Sequence, residues 1–329
     1  MCGIVAVYDK ESGDHRQLTE MLNKLNHRGP DEEELCNYKT MYLGHKRLSI
    51  IGPSKGRQPI SNENDDIHLV VNGEVYNYEE LKTQLSNHNF STLSDSEVII
   101  HLYEEQGIDC VKNLDGMFAF VLSDNEKPFV ARDTLGIKPL YYAEEDGCLF
   151  FASEMKSLAN FVKEVKEFPP GHYFTPETGF QQFRKIQVSY ASTQQNKSIS
   201  LNQITEGIRT RLEAAVKKRM MAHVPLGVFL SGGLDSSLVA ALAKEHTKKK
   251  PLKSFCVGMK GGSDLPAARQ VAEYLGTDHH ELIYNEQDIF ESLPRVIYFL
   301  ESFDPSLIRS AIPTYFVCRL ASKYVTVIL

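Results

Sequence analysis

Val228-Phe229-Leu230-Ser231-Gly232-Gly233-Leu234-Asp235-Ser236-Ser237 decides how the second half of this 329-residue chain folds. An apolar run that begins at Leu226 meets two glycines among hydroxyl residues, and a helical pattern then runs from about Asp235 to His246. Glycines let a backbone approach a phosphate closely, and the first turn of a helix offers unpaired N–H groups with a favourable dipole. Ser236 or Ser237 could simply cap that helix, a reading that leaves the paired glycines after an apolar strand unexplained. The spacing is neither G-x-x-x-x-G-K-[ST] nor G-x-G-x-x-G. Without a lysine in the loop, cleavage between β- and γ-phosphates of the kinase type is disfavoured.

The pattern continues outward from this loop. Lys253–Met259 reads as a strand, Pro266 sits near the start of a helix that ends at Gly276, and His280–Tyr284 reads as another strand. Two helical stretches follow, and Val325–Leu329 reads as a last strand. Upstream, Leu201, Ile204, Ile208, Leu212 and Val216 mark an amphipathic helix. Strands alternating with helices predict a parallel, doubly wound, Rossmann-like α/β sheet. The adjacent His279 and His280 should point to opposite faces of a strand and are read as structural rather than metal ligands. Ligands of such sheets bind at the carboxyl ends of strands. The loop expected after Leu329 is missing, and the sequence reads as truncated there.

The first half has another character. Gly3–Tyr8, His68–Tyr76, Met117–Leu122, Phe129–Arg132 and Tyr141–Ala152 are strand-like, the last turning at Asp146-Gly147. Tyr78–His88 and Ser96–Gly107 are helical by spacing. Strict β-α alternation is lacking, which predicts an α+β domain with antiparallel sheets. Between the halves lies a segment rich in Ser, Thr, Gln and Asn. The predicted boundaries are residues 2–188 for the first domain, 189–200 for the linker and 201–329 for an incomplete second domain.

Composition sets outer limits. Hydrophobic residues make up 42% and charged residues 24%, ample for two cores without disulfides. A net charge of −7 opposes general binding to nucleic acid or anionic membrane. The basic run Lys248-Lys249-Lys250 reads as a solvated helix end. None of the six cysteines forms a C-x-x-C pair, and Cys148 and Cys256 stand in apolar runs, so buried free thiols in a cytosolic, reducing compartment are expected. No apolar run approaches the ~20 residues of a membrane span.

Cys2 follows the initiator methionine. Removal of Met1 would put a free α-amine on the residue that carries the thiol. The two groups titrate near ~8 and ~8.5, so one can take the other's proton at neutral pH. Taken alone, Met1-Cys2 is more often the start of a buried strand. Further residues follow in order: His27-Arg28-Gly29-Pro30-Asp31, Gly44-His45-Lys46-Arg47-Leu48-Ser49-Ile50, Asn72-Gly73-Glu74-Val75-Tyr76-Asn77 and Ser94-Asp95-Ser96-Glu97. Then come Arg132-Asp133, Gly136-Ile137-Lys138-Pro139-Leu140-Tyr141-Tyr142 and Phe151-Ala152-Ser153-Glu154. Over essentially the whole first half this set resembles the class II glutamine amidotransferases, whose glutaminase domain has the N-terminal-nucleophile fold.

The resemblance implies roles. Cys2 attacks the glutamine side-chain amide, giving a thioester and ammonia. The Asn72 side chain and the Gly73 N–H form the oxyanion hole, although an Asn-Gly pair can also be a hairpin turn. Arg47 holds the substrate α-carboxylate, and Leu48, Ser49, Ile50 and Ile51 line the same pocket. Glu74 and Asp95 recognise the α-ammonium group. In the second half, S-G-G-x-D-S resembles the pyrophosphate loop of ATP pyrophosphatases. Ser254-Phe255-Cys256-Val257-Gly258, Asp264-Leu265, Ala267-Ala268, Leu275-Gly276-Thr277-Asp278-His279-His280, Glu301-Ser302-Phe303-Asp304 and Ile308-Arg309-Ser310-Ala311-Ile312-Pro313 are similar to asparagine synthetases. That resemblance implies ATP contacts from Leu230, Ser231, Gly232, Gly233, Asp235, Ser236, Ser237 and Val257. Asp235 would also help hold Mg²⁺ through the pyrophosphate. Ser306 and Arg309 fall where the family binds aspartate; serine replaces the family's usual threonine.

The implied reaction is glutamine-dependent asparagine synthesis through β-aspartyl-AMP, with a sheltered ammonia path and no prosthetic group. The expected partners are glutamine, aspartate and ATP, with no nucleic acid and no membrane; a homodimer is compatible with the family. The family's further S-G-E-G-A-D loop is absent from the sequence. Two alternatives stay open: a glutaminase or related amidotransferase acting on another carboxylate, and a non-catalytic truncated subunit.

Overall fold

A computed structural model describes residues 1–11, 13, 17–186, 200–247 and 251–329. Most of the segment read as a linker (189–199) and the lysine run Lys248-Lys249-Lys250 lie outside the described residues. The chain divides into two compact units, Met1–Ser189 and Tyr190–Leu329.

The first unit is built on two six-stranded sheets. One contains β1 (Gly3–Tyr8), β2 (Glu32–Tyr38), β3 (Met41–Arg47), β8 (Tyr141–Glu145), β9 (Cys148–Ala152) and β10 (Lys166–Glu167), in the order β10-β8-β9-β1-β3-β2. The other contains β4 (Ile60–Ser61), β5 (Ile67–Val75), β6 (Gly116–Asp124), β7 (Lys127–Arg132), β11 (His172–Thr175) and β12 (Gly179–Gln182), in the order β12-β11-β7-β6-β5-β4. Every pairing in both sheets is antiparallel.

Alternation along the strands explains the layering. On β1, Ile4, Ala6 and Tyr8 join Met41, Leu43 and Phe151 against Val70, Ala119, Val121 and Val130 of the other sheet. Val5 and Val7 face the opposite way, onto Leu18, Met21 and Leu22 of helix α1 (Gln17–Asn23). The outer face of the second sheet, with Leu69, Val71 and Phe120, is covered by α2 (Tyr78–Gln84) and α3 (Val98–Gln106) through Leu81, Val98, Ile99 and Leu102. Helix, sheet, sheet and helix thus form four layers. Each large aliphatic side chain buried in them contributes about 1.5–3 kcal/mol.

Asn72-Gly73 follows the reading of His68–Tyr76 as a strand and not the alternative of a hairpin turn, while the expected burial of Cys148 is corrected. The Asn-Gly pair lies inside β5, with Asn72 opposite Ala119 and Gly73 opposite Phe118. A β-carbon on Gly73 would stand 2.5 Å from the Met117 carbonyl oxygen, so the glycine serves close strand approach rather than chain reversal. Cys148 is only partly buried, because it opens β9 at the hairpin turn, where Asp146 and Gly147 have φ of 49° and 80°.

The second unit has a four-stranded parallel sheet of β13 (Leu226–Phe229), β14 (Lys253–Met259), β15 (Asp278–Tyr284) and β16 (Val327–Ile328), in the order β15-β14-β13-β16. Its helices are α4 (Leu201–Arg219), α5 (Leu234–His246), α6 (Asp264–Leu275), α7 (Glu286–Leu300) and α8 (Pro305–Ala321). Val228, Leu230, Ala240, Ala243 and Leu275 form its main core, which reaches α4 at Val216. Upstream on α4, Leu201, Ile204 and Ile208 are exposed, so the apolar stripe read from the sequence is buried only at its end. His279 bonds Ser254 through Nδ1, whereas His280 stacks on Phe255 and Tyr324. No helix among the described residues is long and apolar enough to cross a membrane.

Candidate active site

Cys2 enters β1 beside the end of β3. Its Sγ accepts the Leu48 N–H at 3.4 Å, and the thiol faces the Leu48 carbonyl at 3.7 Å. The Cys2 carbonyl is gripped by Arg28 Nε at 2.8 Å. The Asn72 amide orientation that satisfies its neighbours donates from nitrogen to the same carbonyl at 3.1 Å and accepts Arg28 Nη2 at 3.2 Å. Arg28 is held in turn by Glu154, whose Oε1 lies 2.7 Å from Arg28 Nη1 and 2.9 Å from His27 Nε2. A second Glu154 oxygen takes Lys156 at 2.5 Å. Burial alone would raise the Glu154 pKa, but these three partners pull it down to about 2.

Burial raises the Cys2 thiol, while the Leu48 N–H, the chain-terminal amine and Lys138 pull it back. The terminal amine, here on Met1, is lowered to about 6 chiefly by its own burial.

One pocket opens at the thiol, lined by Cys2, Arg47, Leu48, Ile50, Ile51, Gly73, Glu74 and Asp95. Ser49 and Asn72 are not in its wall. The Ser49 N–H is spent on Asp31 at 2.7 Å, and one Asn72 N–H is spent on the Cys2 carbonyl. Gly56, Gln58, Val71, Ser94 and Ser96 also line it and were not singled out as site residues from the sequence. Ser94 and Ser96 flank Asp95, so the S-D-S-E run carried a signal for them. Gln58 carried none.

The pocket's charges are uneven. Asp95 is buried and is raised to about 6 by desolvation, although Val75 N–H at 2.6 Å and Ser94 stabilise its charge. Glu74 is pushed well above the usual carboxylate range by burial and then by Asp95. Glu74 Oε2 is buried with no hydrogen-bond partner. Two buried carboxylates with an idle acceptor make a receptor for a cation. Lys138, buried and lowered by desolvation, acts electrostatically on both Glu74 and Cys2. The sequence reading quoted this lysine without giving it a role. Arg47 is engaged differently from expectation. Its Nη1 bonds Glu32 at 2.7 Å and Pro53 O at 3.2 Å, and its Nη2 bonds Gly52 O at 2.8 Å and Ile51 O at 3.4 Å. The guanidinium therefore shapes the 51–53 loop in this conformation.

In the second unit the glycine loop follows β13 at its carboxyl end. β14 pairs with one edge of β13 and β16 with the other, so the loop lies at the point where the winding of the sheet reverses. Gly232 has φ +79°, and a β-carbon there would stand 2.5 Å from the Ala267 carbonyl carbon. The serines do not cap α5. Ser237 and Ser236 donate to the Gly233 carbonyl at 2.7 and 3.2 Å, and the helix has no side-chain cap. Its first N–H groups thus have no side-chain acceptor, the arrangement that suits an anion. Asp235 sits in that first turn, exposed. Val257 lies on β14, while Ser306 and Arg309 are exposed on the first turns of α8, with the Ser306 N–H accepted by Asp304 at 2.8 Å.

A four-layer unit of two antiparallel sheets with a cysteine at residue 2 is followed in the chain by a parallel α/β unit with a glycine loop after its first strand. The chain belongs to the glutamine amidotransferase domain family, whose model matches residues 1–202, and the asparagine synthase model matches residues 207–329. It is 43% identical to asparagine synthetase [glutamine-hydrolyzing] 2 of Oryza sativa subsp. japonica, over 97% of this chain and 56% of the rice protein. It is 44% identical to asparagine synthetase [glutamine-hydrolyzing] 3 of Arabidopsis thaliana, over 97% of this chain and 57% of that protein. The chain thus spans a little over half the length of these relatives. Among solved structures, a glutamine phosphoribosylpyrophosphate amidotransferase from B. subtilis aligns with a TM-score of 0.48 and 20% identity, over 87% of this chain and 67% of that one.

Proposed function

We propose that the first unit hydrolyses glutamine at Cys2 and that the chain carries the ATP-binding part of a glutamine-dependent asparagine synthetase. The observation that carries the first half is the idle, buried Glu74 Oε2 beside Asp95, in the pocket that opens on the Cys2 thiol. A glutamine α-ammonium group supplies the missing charge and places the side-chain amide toward the sulfur. Removal of Met1 hands the free amine to Cys2. A neutral amine then takes the thiol proton, the thiolate adds to the amide carbon, and the protonated amine returns that proton to the departing nitrogen. Ammonia leaves, a thioester remains, and water releases glutamate. The Gly73 N–H and the second Asn72 N–H serve the oxyanion. Arg47 takes the α-carboxylate by exchanging Glu32, whose side chain is partly exposed.

In the second unit, Leu230 and Val257 flank adenosine. Ser231, Gly232, Gly233, Ser236 and Ser237 cradle the pyrophosphate, and Ser306 and Arg309 receive aspartate. The β-carboxylate of aspartate attacks the α-phosphate and pyrophosphate departs. Ammonia then opens β-aspartyl-AMP to asparagine and AMP. The exposed Asp235 carboxylate fits a hard cation such as Mg²⁺, which when bound neutralises charge on the leaving oxygens.

The test is glutamate release by the processed chain, with labelling by an electrophilic glutamine mimic. Glutamate production and modification confined to residue 2 are expected. A chain with Met1 removed that neither releases glutamate nor is labelled at Cys2 would refute the reading.

A further inference from the structure

We infer that the first unit carries a divalent-cation site of the zinc class, made by Glu63, His88, His101 and Glu104. The inference is independent of the glutaminase reading. One ligand atom from each of the four residues lies within 4.8 Å of all the others. His101 Nδ1 stands 2.8 Å from Glu104 Oε2 and 3.7 Å from Glu63 Oε2. His88 Nδ1 stands 3.4 Å from Glu104 Oε2 and 3.7 Å from Glu63 Oε1. Zinc holds nitrogen and oxygen ligands at about 2.0–2.2 Å in a tetrahedron, which puts neighbouring ligands roughly 3.3–3.6 Å apart. The histidine–carboxylate separations of 2.8–3.7 Å bracket that spacing. They come from three places: the turn before β5, the residues after α2, and one face of α3, where His101 and Glu104 are three apart.

What surrounds the four matters as much. Metal-bound histidines present their second nitrogen to a carboxylate or carbonyl. His88 Nε2 lies 3.5 Å from Glu105, whereas His101 Nε2 stands 3.8 Å from Glu97, beyond hydrogen-bond distance. His101 is buried and its Nε2 has no hydrogen-bond partner within reach. Both ligand carboxylates are also fixed from behind. Asn62 Nδ2 donates to Glu104 Oε1 at 2.9 Å, and the Asn89 N–H donates to Glu63 Oε1 at 2.8 Å. The two imidazoles stack with centroids 4.6 Å apart. Two nitrogens and two carboxylates favour a zinc-class ion over calcium or magnesium, which take oxygen ligands. The site would pin the Glu63 turn and the residues after α2 to α3, directly behind the turn that carries Asp95.

The experiment uses the full chain, stripped with a chelator and then dialysed against Zn²⁺ or Co²⁺. One Zn²⁺ retained per chain, a raised melting temperature, and a tetrahedral Co²⁺ spectrum without a thiolate charge-transfer band are expected. His88→Gln, at a half-buried position, and Glu63→Gln, at an exposed one, should each weaken binding at least about 10-fold. Absence of stoichiometric metal overturns the proposal. So does a Co²⁺ spectrum with thiolate character, or binding that survives the His88→Gln/Glu63→Gln double substitution. The spectrum of the unsubstituted chain decides the matter even where a variant fails to fold.

Discussion

At the scale of single residues, the pocket's chemistry rests on two carboxylates kept from water. Asp95 is raised to about 6 from its ordinary 3.8, and Glu74 is raised well above the usual carboxylate range by burial and then by Asp95. The anionic forms are the ones that bind an ammonium group. As pH falls through about 6, Asp95 takes up a proton and loses that attraction, well before an ordinary aspartate would. The KM for glutamine should therefore rise as pH drops from 7 to 5, with kcat changing less. Glu74→Gln replaces the carboxyl group that would face the ammonium with a neutral amide of nearly the same shape. A buried charged hydrogen bond contributes about 1.5–3 kcal/mol, so the KM should rise roughly 10- to 100-fold. Steady-state kinetics with glutamine and with an analogue lacking the α-amine checks this. If the variant still discriminates between the two as the parent does, Glu74 is not the ammonium receptor.

At the scale of elements, the β13–α5 loop and the Glu154 cluster make separate demands. Gly232→Ala adds a side chain at φ +79° and against the Ala267 backbone. Strain of about 1–3 kcal/mol is expected there, and ATP binding should fall at least about 10-fold by calorimetry while glutamate release stays unchanged. Glu154 is held at about 2 against an ordinary 4.5, a depression equivalent to about 3 kcal/mol for this nearly buried side chain. That stability is present above pH 4.5 and is lost as pH falls toward 2. Glu154→Gln should therefore unfold at lower denaturant than the parent at pH 7, and the difference should shrink in acid. The elements that were legible in the sequence are those whose side chains alternate or recur without charge, such as β1, β6 and α5. The β2–β3 hairpin escaped because Glu32-Glu33-Glu34 breaks the apolar pattern. Those glutamates are matched across the sheet, two of them by the Lys46 and Arg47 ion pairs. Strands β10, β11 and β12 escaped because two to four residues carry no readable period. Site residues were legible only as an ordered set of motifs. Lys138 stands inside that set, but its spacing gives it no role, and the Glu63–His88–His101–Glu104 group has no such set, because folding rather than spacing brings these residues to their partners.

At the scale of the whole molecule, the hydrophobic clusters sort cleanly. The large clusters around β1, β5 and α3 draw only on residues up to Phe183, and those around β13 and β14 draw only on residues from Val216 onward. Among the described residues each unit therefore has its own core, and substitutions that share no core partner are expected to act additively. Cys2→Ala should abolish glutamate release yet leave nucleotide binding within about twofold of the parent. Asp235→Ala should do the reverse, weakening Mg²⁺-dependent ATP binding while glutamine hydrolysis without ATP continues. The double variant should show the sum of the two losses in free energy, to within about 0.5 kcal/mol. Measuring both activities on all four proteins tests the separation directly. A nucleotide affinity that shifts with Cys2→Ala alone would mean that the two cores communicate in the apo chain, and the additive picture would have to be abandoned.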